Sequence, residues 1–164
     1  MFRIAACLLA IAVSPIAVSV FAQDADLADL DRHYSVNVRA PYALTKALLP
    51  LICSNNGEIV FINSSIVQNP KPYAGQYGIT KHALKGMADS LRIEVNALGI
   101  RVLSVFVGRT ATPMQKMLFQ REGRAYHPER LLQPEEVASV VIHALSLPRT
   151  AEVTEIWIRS MLKP

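Results

Sequence analysis

Two short apolar runs, Glu58–Ile62 (EIVFI) and Ile100–Val107 (IRVLSVFV), constrain the fold of this chain more than anything else in it. Both are rich in β-branched residues, and neither alternates as a strand with one wet face does. Such runs read as strands covered on both sides. Between them Ile79, Leu84, Met87, Leu91 and Val95 recur at helical spacing, so a helix is expected from about Gln76 to Ala97. Leu98-Gly99 is a plausible stop for it. Strand, helix, strand in that order predicts a right-handed crossover and a parallel pair. The expected class is α/β, with a parallel sheet of three to four strands and flanking helices.

The neighbouring segments extend the pattern. In Asp24–Cys53 the apolar residues Leu27, Leu30, Tyr34, Val38, Tyr42, Leu44, Leu48 and Leu51 describe an amphipathic helix. Asp24 or Asp26 is expected to cap it, and Pro41 to kink or divide it. Asp29 and Asp31 read as solvated carboxylates of the first turn. Residues 109–132 read as irregular, with some helix near Met114–Arg121. Gln133-Pro134-Glu135-Glu136 opens a helix whose apolar face is Val137, Val140, Val141 and Leu145, and Ala151–Ile158 reads as a last strand.

Composition removes several classes. With 51% hydrophobic and 18% charged residues, this is not a disordered chain. The net charge of +4 is spread without a basic run or interleaved aromatics, which excludes a nucleic-acid reading. Cys7 and Cys53 stand alone, and His33, His82, His127 and His143 share no ligand spacing, so no metal site is expected and the histidines are assigned to the surface. Residues 1–22 are leader-like: one Arg precedes a long apolar run, and Val20 and Ala22 suit a signal-peptidase site before Gln23. Pro15 interrupts the run, which argues against a membrane span. The stretch reads either as a secretory leader or as a buried strand and loop resembling one. The expected division is residues 1–22 as this segment and 23–164 as one domain.

The chemistry gathers between Gly57 and Leu84. Asn63, Ser64 and Ser65 stand where the first strand should end, and open α/β sheets bind ligands at such ends. Tyr77 and Lys81 are four apart and so neighbour each other on the helix. A phenol with a pKa near 10 exchanges protons poorly at neutral pH. An ammonium one turn away is expected to lower that pKa, and a serine hydroxyl can donate to a carbonyl or alcohol oxygen.

In order and spacing, these residues resemble the short-chain dehydrogenase/reductase family from about Asp24 to Ile158. Ser35-Val36-Asn37-Val38 resembles its helix asparagine, and Ile59–Ser64 its strand ending in the catalytic serine. Tyr77-Gly78-Ile79-Thr80-Lys81 is its Y-x-x-x-K, thirteen residues beyond that serine. Val107-Gly108-Arg109-Thr110-Ala111-Thr112 resembles its P-G-x-x-x-T stretch, with Val107 in place of the proline. The resemblance implies a partial doubly wound, Rossmann-like sheet. It also implies that Tyr77 is the general acid/base, that Lys81 lowers its pKa and holds the nicotinamide ribose, and that Ser64 orients the reacting oxygen. Asn37 would fix the helix and a water, and Gly108, Thr110 and Thr112 would approach the nicotinamide. The implied cofactor is NAD or NADP, the substrate a small alcohol or carbonyl compound, the location cytoplasmic, and the assembly a homo-oligomer through the long helices.

One departure stands out. The family's T-G-x-x-x-G-x-G loop, which holds the cofactor pyrophosphate, is absent, and glycine first occurs at position 57. The family's N-N-A-G stretch would fall on Ala12-Val13-Ser14-Pro15, so residues 8–15 are expected in the place of its fourth strand. The leading expectation is a truncated oxidoreductase with impaired cofactor binding. The alternatives are an inactive remnant serving binding or assembly, and an exported protein. Met114, Met117, Phe119 and Tyr126 are expected either to line an apolar substrate cavity or to pack a core.

Overall fold

The computed structural model describes residues 6–7 and 25–162. Its sheet has four strands in the order β1 (Ala6–Cys7), β2 (Glu58–Ser64), β3 (Arg101–Val107) and β4 (Glu155–Ile158). Every neighbouring pair is parallel. β2 and β3 pair along their whole length, from Glu58 opposite Arg101 to Ser64 opposite Val107. β1 meets only the start of β2, and β4 only the second half of β3. The carboxyl ends of β2, β3 and β4 are therefore level, which creates the edge where the site forms.

The expected stretch 8–15 and the leader-like segment, apart from Ala6–Cys7, lie outside the described residues, as does Asp24. β4 begins at Glu155, not at Ala151. Just before it, Thr154 O accepts from Ser104 N at 3.0 Å, the first hydrogen bond of the β3–β4 ladder. Among the described residues no helix is long and apolar enough to cross a membrane, and no group of His, Cys, Asp and Glu could hold a metal ion.

Among the described residues five α-helices flank the sheet: α1 (Leu27–Tyr34), α2 (Ala40–Ser54), α3 (Gly75–Val95), α4 (Pro113–Arg121) and α5 (Pro134–Leu145). Asp26 caps α1, its carboxylate accepting from Ala28 N at 3.0 Å. No break separates α1 from α2. A π-helical turn, Ser35–Arg39, joins them, and Pro41 follows at the start of α2. Pro41 has no N–H to give the carbonyl four residues back, so the wider ladder takes over there: Ala40 N donates to Ser35 O, five residues away. α3 ends in a short 3-10 turn and Gly99, whose φ of 75° is the left-handed cap expected of glycine. α5 opens with a capping box between Gln133 and Glu136.

Side chains of β2 and β3 alternate into two cores. Ile59, Phe61 and Val102 pack with Ile52 of α2 and Leu84, Ala88 and Val95 of α3. Val60, Leu103 and Val105 pack on the other face with Val141 and Ala144 of α5. Covering on both faces explains why both runs are apolar throughout. At the amino ends of the strands, Arg101 pairs with Glu58 across the ladder. It also donates to the carbonyls of Leu145, Leu147, Pro148 and Ala151, which fastens the α5–β4 connection to the sheet.

Candidate active site

The site lies at the level strand ends. A cleft of about 350 Å³ is lined by Ser64, Tyr77, Gly108, Thr110 and Thr112 among others. Ser64 is the last residue of β2, where register and the Asn63 side chain fix it: Asn63 Oδ1 accepts from Ser64 N at 2.8 Å. Asn63 is 2% exposed, and its Nδ2 donates to Lys81 O at 3.2 Å, tying strand end to helix. The Ser64 hydroxyl accepts from Ile66 N at 3.3 Å and acts on the Tyr77 phenol, favouring its ionised form. Ser64 is thus the serine that meets Tyr77; Ser65 lines the cleft beside it, and its carbonyl accepts from Gln68 N and Asn69 N.

Tyr77 and Lys81 stand one turn apart on α3, as expected, but their electrostatics differ from the sequence expectation. Burial pushes the Tyr77 phenol above its ordinary value, and the Ser64 hydroxyl works against that rise. Lys81 is 2% exposed, and burial pulls its ammonium down to about 8. Its Nζ lies 3.4 Å from Ile62 O and 5.7 Å from the centre of the Tyr77 ring. At that range, the cost of desolvating both groups outweighs the lowering expected from the ammonium.

Asn37 stands outside the cleft wall, in the π turn. Its Nδ2 donates to Thr80 Oγ1 at 3.0 Å, and Thr80 Oγ1 donates to Tyr77 O at 2.9 Å. Asn37 therefore ties the long helix to the turn of α3 that presents the phenol. Thr80, fully buried in this chain of bonds, was missed by sequence reasoning although it lies inside the Y-x-x-x-K motif. His33 was assigned to the surface, and the structure corrects this. It is 2% exposed, its ring meets that of Tyr77 edge-on at 6.2 Å, and its buried Nδ1 has no hydrogen-bond partner. Burial lowers its pKa. The signal was available: His33 is four residues before Asn37 and so shares its helix face.

The third side of the cleft comes from the segment after β3. Thr110 Oγ1 donates to Gly108 O at 3.1 Å, and Thr112 caps α4 by accepting from Gln115 N at 3.3 Å. A Cβ on Gly108 would stand 3.1 Å from both Cα and Cβ of Arg159, so this glycine serves the close approach of the chain after β4. Of the four residues expected either to line a substrate cavity or to pack a core, Met114 lines the cleft and Phe119 is buried. Met117 is exposed, and Phe119 and Tyr126 pack on each other, ring centres 5.6 Å apart.

The fold agrees with comparison to known proteins. The short chain dehydrogenase family profile matches residues 9–123. An uncharacterised short-chain type dehydrogenase/reductase of Sinorhizobium fredii is 32% identical over 134 residues, covering 79% of this chain and 54% of the relative. Oxidoreductase UcpA of Escherichia coli is 33% identical over 137 residues, covering 80% of this chain and 49% of the relative. Among solved structures, a short chain dehydrogenase/reductase family protein superposes with a TM-score of 0.71 at 28% identity, over 86% of this chain and 60% of that one. The chain belongs to the short-chain dehydrogenase/reductase family. It spans about half the length of the curated relatives it matches.

Proposed function

We propose that this protein is an oxidoreductase of the short-chain type, interconverting an alcohol and a ketone with NAD(H) or NADP(H). The observation that carries the reading is that Ser64 and Tyr77 stand together on the wall of one cleft, with Ser64 acting on the Tyr77 phenol. Family membership supports a nicotinamide dinucleotide as the cofactor. The residues present fit its nicotinamide-ribose end: Gly108, Thr110 and Thr112 offer a wall beside Tyr77, and Lys81 lies behind it. The sequence has no glycine-rich loop for the pyrophosphate, so binding by this chain is expected to be weak. When bound, the nicotinamide supplies the hydride in reduction and accepts it in oxidation. Ser64 donates to the reacting oxygen and holds it against the Tyr77 hydroxyl, and Tyr77 gives the proton in reduction and takes it in oxidation. Lys81 stabilises the phenolate left behind. The same reading puts the protein in the cytoplasm, with its nicotinamide pool, a placement that cell fractionation checks.

The test follows nicotinamide absorbance with a panel of alcohols and ketones. Tyr77→Phe is expected to lower turnover by about 100- to 10,000-fold while cofactor titration stays close to wild type. Turnover indifferent to Tyr77, or no binding of either dinucleotide, would defeat the reading. We also propose self-association through the long helices, because Leu27, Tyr34, Tyr42, Leu51, Ile79 and Ile93 are exposed on α1, α2 and α3.

A further inference from the structure

Besides Ser64 and Tyr77, the cleft is lined by three ionic side chains, Lys71, Arg109 and Glu122. Glu122 is already committed. Arg109 grips it through both terminal nitrogens, at 3.0 and 2.5 Å, and Arg124 adds a contact at 3.2 Å. Both guanidinium groups lie over the Phe119 ring, their central carbons 4.7 and 5.1 Å from its centre. Phe119 is 2% exposed, so this clamp stands on a fixed base. The charges acting on Lys71 are those of Arg109, Glu122 and Arg124. Among the described residues, none of the ion pairs within 4.0 Å involves Lys71; those of Glu122 go to the two arginines.

Lys71 is also held in place by its own loop. Pro70 and Pro72 fix φ on either side of it. Tyr73 follows in the left-handed region at φ 61°, and Lys71 O accepts from Ala74 N at 3.4 Å. Lys71 and Arg109 against Glu122 leave a positive surplus on the cleft wall, with Arg124 behind it, and Ile66, Met114, Leu118 and Val137 supply an apolar stretch of that wall. Such a surplus selects ligands only by charge.

We propose that the cleft takes an alcohol or ketone that also carries an oxoanion, a carboxylate or phosphate, received by Lys71 with Arg109 beside it. This rests on the oxidoreductase reading and adds the substrate class to it. Lys71 is the receiver because the Arg109 fork is filled by Glu122. An ammonium is a point charge, so it accepts either oxoanion. The carbon chain lies on the apolar wall, and the reacting oxygen reaches Ser64 and Tyr77.

The test compares 3-hydroxybutanoate, its neutral isostere 3-hydroxybutanamide, and 3-hydroxybutyl phosphate. Binding is read by ligand-observed NMR with cofactor present and absent, and turnover by nicotinamide absorbance. At least one anion is expected to bind roughly fivefold or more tightly than the amide. That preference falls to near unity in Lys71→Gln, returns in Lys71→Arg and is unaltered in Lys116→Gln, an exposed control on α4. The tighter anion identifies the source of the charge. Equal binding of amide and anions, failure of both anions to bind, or a preference that survives Lys71→Gln overturns the proposal. Charge-selective, Lys71-dependent binding without any turnover overturns the oxidoreductase reading alone. Turnover without charge preference overturns this one alone.

Discussion

Lys81 shows at the scale of one residue how the site and the stability of the fold oppose each other. Its ammonium titrates at about 8 in the folded protein, against 10.5 ordinarily, because it is buried. Between those values the unfolded chain binds more protons than the folded one, so stability rises with pH across that window. Below pH 8 the full penalty applies, about 3 kcal/mol. Lys81→Met is therefore expected to raise the urea-derived unfolding free energy at pH 7 by about 2–3 kcal/mol, with the gain fading toward pH 10. Turnover should be lost in the same variant. A gain that did not change with pH would show that burial of the charge is not the cause. Tyr77 obeys the same physics with the opposite sign of charge: burial raises the phenol and favours its neutral form, which suits the proton donor proposed for it.

Among the elements, Gly108 carries the sharpest expectation. Gly108→Ala would set a methyl group 3.1 Å from two Arg159 atoms, where the backbone is fastened by Gly108 N donating to Ile158 O at 2.8 Å. The ends of β3 and β4 must part, and thermal unfolding should report a loss of about 1–3 kcal/mol. β2, β3, α3 and α5 were legible in the sequence because each announces itself locally: continuous apolar runs, helical periodicity, Gly99 as stop, Pro134 at a first turn. The family resemblance grouped Ser64, Tyr77, Gly108, Thr110 and Thr112, and these residues line one cleft. What stayed hidden depends on long-range contact. The π turn imitates a proline kink in sequence, since both are marked only by Pro41. Burial of His33 follows from α3 crossing α1, and the charge on the cleft needs Lys71 and Arg109, 38 residues apart, to be brought together. The helix face that His33 shares with Asn37 hints at the first, and no local pattern encodes the second.

For the whole molecule, the outer sides of the long helices set the expectation of assembly. Ile93 is 82% exposed and Leu51 59%, large side chains that a lone surface leaves in water. Sedimentation should find a dimer or larger species, and Ile93→Glu with Leu51→Glu should shift it toward monomer without altering far-UV circular dichroism. A wild-type monomer at all concentrations would remove the proposal. Inside the molecule, the turn at Ser35–Arg39 has a further consequence of register. Each residue advances an α-helix by about 100°. The wider turn therefore sets the angular phase between α1 and α2: His33 lies beside Tyr77, and Ile52 points into the core behind β2. Remove one residue from that turn and an ordinary helix can close, but the two halves of the rod are then out of phase by about 100°. One half can keep its seat only if the other rolls its apolar stripe into water. The rod works as a cam, and the spacing between Tyr34 and Ala40 is its timing.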